Sequence, residues 1–313
     1  MSRTRRVLQL LVSTALVVGT IRAGADDPEL LRLMSFNIRY GTADDGQNAW
    51  PRRRELVTEV IARHDPHLLG IQEALRFQLD ELRRELPDYD ELGVGRTDGR
   101  AAGEYAAILY QPSRLEAIDH GTFWFSDTPE RPGSVSWGNR IPRIATWAKF
   151  RDRRASDAAE ADADEFFVFN VHLDHASQTS RERSVEFLLE RVSALRAESP
   201  GVPIILMGDF NAGEENSATR SIIEFNRNPE STPDESEIRF ADTFRVMHPE
   251  VETVGTFNGF QGRSDGPKID YIFVDAQTVD TVSAGIVRDH SGMNPPRYPS
   301  DHYPVIATIR MRD

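Results

Sequence analysis

Several polar side chains suited to hydrolytic chemistry stand where apolar, strand-like runs of this 313-residue sequence end or begin. They are Asn37, Glu73, His172, Asp209, Asn211, Asp270, Asp301 and His302. Strand ends are where a packed sheet presents side chains to a cleft. Because Asp and Asn also cap helices and start turns, each residue alone is weak evidence. Together they indicate one site that combines carboxylate, amide and imidazole groups.

The strongest local pattern follows the apolar run of residues 204–206, where Asp209 and Asn211 stand two positions apart. Residues two apart in an extended chain point the same way, so we expect the two side chains to project together. A carboxylate can hold or deprotonate water, while an amide can donate a hydrogen bond to a phosphoryl oxygen. The pair therefore suits hydrolysis of a phosphoester.

A general base is indicated farther along the chain, where Asp270 begins an apolar run and His302 follows Asp301. An Asp that holds an imidazole in one tautomer makes that imidazole a base near neutral pH. The chain has no cysteine, which excludes disulfides, a thiolate metal site and a thiol nucleophile.

Six short motifs occur in order: SFNIR at 35–39, GIQE at 70–73, NVHL at 170–173, GDFN at 208–211, IDYI at 269–272 and SDH at 300–302. This ordered set, which spans residues 33–309, resembles the endonuclease/exonuclease/phosphatase superfamily with its deoxyribonuclease-I-like fold. Segments 44–46, 48–51, 121–129 and 256–260 are similar to a bacterial secreted subgroup close to the deadenylase branch. The resemblance implies that these segments rim the pocket and select the substrate.

The resemblance also implies a metal site. Glu73, helped by Asn37, would ligate Mg²⁺ or Mn²⁺, and Asp301 would lie close to the metal. Carboxylate and amide oxygens are ligands that these hard cations prefer, and the shortage of His ligands argues against zinc.

The remaining roles concern water and phosphate. The resemblance implies that Asp209 positions or activates the attacking water and that Asn211 binds the scissile phosphate. Asp270 would orient His302 beside that phosphate.

The same family pattern implies three further roles. His172 would contact the phosphate or stabilise the leaving oxygen, and Glu104 would be its carboxylate partner. Arg143 resembles the family's phosphate-contacting arginine, although a surface salt bridge is the alternative role for this residue.

Strand-like runs alternate with helical patterns along the chain. The predicted strands are 31–38, 67–72, 105–110, 144–150, 166–173, 203–208, 269–274 and 305–309, and the predicted helices are 52–63, 77–86, 182–197 and 216–225. Residues 42–48, 127–142 and 153–165 are predicted loops, the last a solvated hairpin tip. With the resemblance, these elements predict a single α+β domain, residues 26–313, built as a four-layered αββα sandwich of two packed mixed β-sheets flanked by helices.

The first 25 residues have the three regions of a secretory signal peptide. An arginine-rich start precedes the apolar run 7–21, and small residues end at Ala25. A membrane anchor is less consistent with so short a run. We expect a periplasmic or extracellular protein that does not insert into membranes after cleavage and is a monomer.

The charge bears on the substrate. Removing the four arginines of residues 1–25 from a net charge of −13 leaves −17, which opposes tight binding of duplex DNA. Trp124 and Trp137 are expected near the rim, where they could stack on a sugar or base; a position in the core is the alternative for both. The prediction is a phosphoesterase that cleaves a phosphomonoester or phosphodiester by metal-assisted in-line attack of water. The substrate would be a small phosphoester or a single-stranded nucleic-acid end.

Two alternatives remain open. One keeps the chemistry but makes the protein a nuclease or a deadenylase-like 3′–5′ exonuclease on single-stranded nucleic acid. The other is a non-enzymatic binding module that retains the fold.

Overall fold

The computed structural model describes residues 27–153, 165–225 and 238–312. The predicted signal peptide, residues 1–25, and most of the predicted hairpin tip at 153–165 lie outside the described residues.

The described chain forms twelve strands and five α-helices. The strands are β1 (Leu30–Asn37), β2 (Leu68–Gln72), β3 (Asp90–Leu92), β4 (Ala106–Tyr110), β5 (Leu115–Trp124), β6 (Ile144–Asp152), β7 (Glu165–His172), β8 (Ile204–Asp209), β9 (Phe240–Asp242), β10 (Asp270–Asp275), β11 (Val279–Ile286) and β12 (Val305–Met311). The helices are α1 (Trp50–His64), α2 (Arg76–Glu85), α3 (Gln178–Glu198), α4 (Ser217–Ile223) and α5 (Thr243–Met247), and a 3₁₀ turn (Gly46–Asn48) precedes α1.

The strands form two six-stranded sheets, in the orders β11-β12-β1-β2-β4-β3 and β5-β6-β7-β8-β10-β9. Each sheet has one parallel pair, β1 with β2 and β7 with β8. The other pairings within these two sheets are antiparallel. Both sheets are therefore mixed, as predicted.

Apolar clusters define the layers. The central cluster joins Leu33 and Ile108 of the first sheet to Val168 and Ile205 of the second. A second cluster packs α1 and α2 on the outer face of the first sheet, and a third packs α3 and α4 on the outer face of the second. The predicted four-layered αββα sandwich is confirmed.

Helix α3 shows how apolar residues at helical spacing form one of the two helical layers. Val185, Leu188, Leu189 and Val192 recur at helical spacing and are buried against the second sheet. Ser177 accepts a hydrogen bond from the backbone of Ser180, which satisfies one of the free N–H groups of the first turn. The helix therefore begins a turn earlier than predicted.

All eight predicted strands are present, and the four that were not predicted are the edge strands β3, β5, β9 and β11. An edge strand has a neighbour on one side only and buries fewer side chains. The interior of β5 accordingly has exposed positions at 118–120, whereas every residue of β7 and β8 is buried. The weaker apolar pattern explains why sequence alone did not identify the edges.

Strand direction brings the polar strand ends together. The parallel pairs end at Asn37 beside Gln72, and at His172 beside Asp209. The antiparallel strand β10 begins opposite the end of β8, so Asp270 pairs with Asp209. Strand β12 likewise begins beside the end of β1. All these ends meet at one edge of the sandwich.

Among the described residues, no helix is long and apolar enough to cross a membrane.

Candidate active site

Two carboxylates from different sheets meet at Asn37. The Asn37 amide nitrogen donates to Glu73 Oε1 at 3.0 Å and to Asp209 Oδ2 at 2.9 Å. The backbone N–H of Tyr40 donates to the other Glu73 oxygen, Oε2, at 3.1 Å. Asn37 therefore joins the end of β1 to the end of β8 and holds both carboxylates at one corner of the site.

Asp301 faces Glu73 across a guanidinium group. Arg39 Nε lies 3.7 Å from Asp301 Oδ2, and Arg39 Nη1 lies 3.9 Å from Glu73 Oε2. Asp45 holds Arg39 through contacts of 3.1 and 3.2 Å. Burial raises the pKa of Asp301, so a nearby cation would stabilise its charged form.

The side chains around Glu73 fit a hard divalent cation. Ligand atoms of Glu73, His172 and Asp209 lie within 4.8 Å of one another. His172 Nε2 is engaged by Arg143 Nη1 at 3.1 Å, which leaves the carboxylate oxygens of Glu73 and Asp209 as the donors of this group. Oxygen donors are those that Mg²⁺ and Mn²⁺ prefer. Asp301, predicted to lie near the metal, is outside this group of three.

His302 forms a buried ion pair with Asp270. The distance from His302 Nδ1 to Asp270 Oδ2 is 2.9 Å, and His302 Nε2 lies 3.9 Å from Asp209 Oδ2. Burial by itself lowers the pKa of His302, but the charges of Asp270 and Asp209 raise it well above its ordinary value. The imidazole is therefore protonated at neutral pH, with Nε2–H directed to the Asp209 side.

Asp209 and Asn211 are brought together by a turn. Asn211 has a φ of 48°, a left-handed conformation that Asn tolerates better than most residues. Its backbone N–H donates to Asp209 Oδ1 at 2.9 Å, and its side-chain nitrogen donates to the Leu173 carbonyl at 3.1 Å. The extended geometry assumed from the sequence is wrong here, although the two side chains do lie together. Burial, with the charge of Asp270, raises the pKa of Asp209 to about 7.

His172 and Glu104 lie on the other side of Asp209. His172 Nε2 is 3.7 Å from Asp209 Oδ2, and His172 Nδ1 is 3.8 Å from Glu104 Oε2. Burial and then the charge of Arg143 lower the pKa of His172 well below its ordinary value. Burial raises the pKa of Glu104 to about 7, although Arg96 contacts its Oε1 at 2.5 Å. His172 is therefore neutral, in contrast to His302.

Arg143 is buried and held from three sides. It is 2% exposed, which rules out the alternative of a surface salt bridge. Its Nε donates to Asp174 Oδ2 at 3.2 Å, its Nη1 lies 3.1 Å from His172 Nε2, and its Nη2 lies 2.7 Å from His175 Nδ1. The structure thus places Arg143 beside the predicted phosphate-binding residues.

Sequence reasoning missed Asp174 and His175, although they follow the predicted His172 almost directly. The signal available was the string His-Leu-Asp-His, which holds three titratable side chains at the end of one strand. It also missed Arg96, whose Nη1 has no hydrogen-bond partner within the described residues.

Arg53 was missed because it lies on a helix within a run of three arginines. It is 1% exposed and donates to the carbonyls of Ile38 at 2.6 Å and Pro299 at 3.0 Å. A third bond of 3.0 Å reaches the carbonyl of Arg39. Arg53 therefore ties together the chain segments that carry Asn37 and Asp301.

A cavity of about 840 Å³ is lined by the predicted site residues Glu73, Glu104, Arg143, His172, Asp209, Asn211, Asp301 and His302, and not by Asn37 or Asp270. Its outer wall includes Ile141 of the loop 127–142 and residues 257–259, Gln261 and Arg263 of the loop before β10. Of the four predicted rim segments, 256–260 contributes to the lining, whereas 44–46, 48–51 and 121–129 do not.

The two tryptophans expected near the rim do not line the cavity. Trp124 is 4% exposed, and its indole nitrogen donates to the carbonyl of Arg96. Trp137 packs against Phe187 of α3, with its nitrogen bonded to Asp127. Both indoles have structural partners, so the structural alternative holds for them and the stacking role does not.

One Gly-x-Ser-x-Gly string occurs at residues 262–266. In hydrolases that use a serine nucleophile, such a string lies on a strand-to-helix turn. Here it lies in the irregular connection between α5 and β10. The local structure therefore does not present Ser264 as a nucleophile.

Comparison with known proteins identifies the family. A family model described as "Endonuclease/Exonuclease/phosphatase family" matches residues 34–302. The chain belongs to the endonuclease/exonuclease/phosphatase family. The resemblance seen in its motifs is thus confirmed, and members of this family are typically metal-dependent phosphoester hydrolases.

Three solved structures are similar to this chain. A family member from Bacteroides vulgatus is 31% identical, with a TM-score of 0.76 over 90% of this chain and 99% of that one. A mannosyl-6-phosphatase from Bacteroides thetaiotaomicron VPI-5482 is 28% identical, with a TM-score of 0.77 over 90% of this chain and 100% of that one. The human Nocturnin catalytic domain shares the fold at 16% identity, with a TM-score of 0.68 over 91% and 94% of the two chains.

Proposed function

We propose that this protein is an exported phosphohydrolase that uses Mg²⁺ or Mn²⁺ to cleave a small phosphate ester, with phosphorylated sugars as its substrate class. The observation that carries the proposal is the placement of two buried histidines on either side of Asp209, at 3.7 and 3.9 Å from its Oδ2 and in different electrostatic environments. His172 is neutral beside Arg143, and His302 is protonated beside Asp270. Titratable groups whose environments separate their pKa values in this way mark acid and base roles.

Asp209 is the best-placed base of the site. Its pKa of about 7 lets the carboxylate accept a proton from water near neutral pH. His302, predicted from sequence as a base, has no free lone pair when protonated. It would instead donate Nε2–H to the phosphoryl group, with Asp270 fixing the orientation of its ring.

The other side of the site would bind the phosphate. One amide hydrogen of Asn211 is used by the Leu173 carbonyl, and the second is free to reach a phosphoryl oxygen. Arg143 has two N–H groups beyond those that bind Asp174, His172 and His175. A divalent cation held by Glu73, with Asn37 and Asp301 as the other predicted ligands, would supply polarisation of the phosphoryl oxygen and offset charge on the leaving oxygen. Asp209, the other carboxylate near Glu73, would then serve as the base beside the cation.

Three observations support a small substrate. A cavity of about 840 Å³ has the size of a small-molecule site. The net charge of −13 opposes association with duplex DNA. The mannosyl-6-phosphatase is similar along its whole length, which supports a sugar phosphate.

The test is a substrate panel with purified protein lacking residues 1–25. It contains mannose 6-phosphate, another hexose phosphate, p-nitrophenyl phosphate, its methyl diester, a single-stranded oligonucleotide and plasmid DNA, each with Mg²⁺, Mn²⁺ or chelator, at low and physiological salt. We expect metal-dependent release of phosphate from the sugar phosphates with little dependence on salt. Cleavage confined to the oligonucleotide would favour the single-strand exonuclease alternative. Turnover that persists in chelator would exclude the metal mechanism.

Export is a separate part of the proposal. It is supported by the arginine-rich start, the apolar run 7–21 and the small residues before Asp26. We expect cleavage after Ala25 and a monomer in the periplasm or medium. For protein recovered from its own host, intact mass measures the cleavage site and light scattering measures the oligomeric state. A cytoplasmic species that still begins at Met1 contradicts export.

A further inference from the structure

His175 is an exposed residue of the cavity wall, held in place by its neighbour. The carboxylate of Asp174 accepts hydrogen bonds from the backbone of Ala176 at 2.9 Å and Ser177 at 2.7 Å. Its other oxygen binds Arg143 at 3.2 Å. The loop between β7 and α3 is therefore fixed, and His175 with it.

Arg143 determines the tautomer of His175. Arg143 Nη2 lies 2.7 Å from His175 Nδ1. A guanidinium has only donors, so Nδ1 must accept this hydrogen bond and the proton of the neutral ring must be on Nε2. The described residues provide no partner for Nε2. A donor of defined position is therefore free beside the cavity.

Burial places this donor farther out than the phosphate-binding groups. Arg143 is 2% exposed and His172 is 6% exposed, whereas His175 is exposed. A phosphate that reaches Arg143 and His172 fills the inner part of the cavity. The alcohol part of the ester then lies at the level of His175.

We propose that His175 is a substrate-binding residue that donates Nε2–H to a hydroxyl or ring oxygen on the alcohol part of the phosphate ester. The contact makes the site favour polyol esters over esters whose alcohol carries no such oxygen. This inference rests on the proposed function, because it names the part of a sugar phosphate that the outer wall recognises.

The alternative is that His175 only holds Arg143 in place and does not contact the substrate. Two near-isosteric variants distinguish these two roles. In His175→Asn, the amide oxygen can replace Nδ1 as the acceptor for Arg143, and the Nε2–H donor is lost. In His175→Gln, the amide nitrogen can replace Nε2–H, and the acceptor for Arg143 is lost. Each variant thus removes one of the two hydrogen-bonding functions of the imidazole, either the Nε2–H donor or the Nδ1 acceptor.

The experiment compares kcat/KM for mannose 6-phosphate and p-nitrophenyl phosphate in the wild type and both variants, with saturating Mg²⁺. In His175→Asn we expect the ratio of the sugar value to the aryl value to fall roughly tenfold, mainly through KM, the scale of one neutral hydrogen bond. In His175→Gln both values should fall together, because Arg143 loses a partner. Thermal unfolding of each variant verifies that the protein is folded.

The outcomes are distinguishable. If His175→Asn leaves the ratio unchanged, His175 does not recognise the alcohol and the inference is overturned. If the wild type cleaves p-nitrophenyl phosphate but no sugar phosphate, the proposed substrate class fails, and this inference fails with it. If it cleaves neither, the proposed hydrolysis itself is wrong.

Discussion

Strand β10 has a buried aspartate at each end, and the two provide a matched test of the site. Asp270 is paired with His302 at 2.9 Å, and Asp275 is paired with Arg196 at the opposite end of the strand. Both carboxylates are fully buried. Asp→Asn preserves the shape of each side chain and removes its charge, so each variant leaves one cation without its partner. Asp275 also accepts hydrogen bonds from the Gln277 N–H at 3.2 Å and the Thr278 hydroxyl at 3.1 Å.

Both variants should lose folding free energy, and Asp275→Asn should lose at least as much as Asp270→Asn. Breaking a buried ion pair by removing one charge costs about 3–5 kcal/mol, and the retained amide brings the loss to the lower end of that range. The chemical effect should differ. Asp270 is the leading group that raises the pKa of His302, so in Asp270→Asn this pKa should fall.

Loss of the His302 charge and orientation should lower kcat by roughly 10²–10⁴, equivalent to about 2.7–5.4 kcal/mol of transition-state stabilisation. Asp275→Asn should keep kcat within about threefold, because Arg196 does not line the cavity.

The assay combines kcat and KM for p-nitrophenyl phosphate, urea unfolding of both variants, and NMR titration of histidines labelled with ¹³C. We expect Asp275→Asn to lose at least as much unfolding free energy as Asp270→Asn, a lower pKa of His302 only in Asp270→Asn, and loss of kcat only in that variant. Equal losses of kcat in the two variants would show that the effect is general destabilisation and would refute the role given to the Asp270–His302 pair.

Three further predictions follow from other parts of the structure. Glu73→Gln should abolish activity by weakening binding of Mg²⁺ or Mn²⁺, since one charged ligand dominates such a site; calorimetric titration with the metal checks this, and unchanged affinity contradicts it. Gly208→Ala should destabilise the fold by more than about 3 kcal/mol, because Gly208 has a φ of 139° and an added Cβ would lie 2.1 Å from the Val171 carbonyl oxygen; a melting temperature within a degree or two of the wild type would exclude the clash. Burial, with the charge of Arg32, lowers the pKa of His67 to about 4 from 6.5, so the unfolded chain binds a proton that the folded chain does not. Stability from this group is therefore complete above pH 6.5 and falls by up to about 3 kcal/mol as the pH drops to 4; urea unfolding across that range should lose this dependence in His67→Asn, which keeps an acceptor for the Arg32 N–H.

Sequence alone determined the interior strands, the polar residues at their ends and the fold class. The eight interior strands are identifiable because buried strands are continuous apolar runs, and the polar residues that end them were identifiable by type. The order of the six motifs that contain them resembled the superfamily, and this resemblance predicted the αββα sandwich. The edge strands were not predictable, because a strand with one neighbour buries too few side chains to produce the pattern.

Only the tertiary structure decided what surrounds each side chain. Arg143 could be assigned to the surface or to the phosphate from its sequence, but its position between Asp174, His172 and His175 shows that it is buried. Trp124 was expected at the rim with the core as the alternative, and packing placed it in the core. The charge states of His172 and His302 likewise depend on desolvation and on carboxylates or arginines distant in sequence. Burial and charge at a site are sums over neighbours that the fold brings together, and a linear pattern of residue types does not contain them.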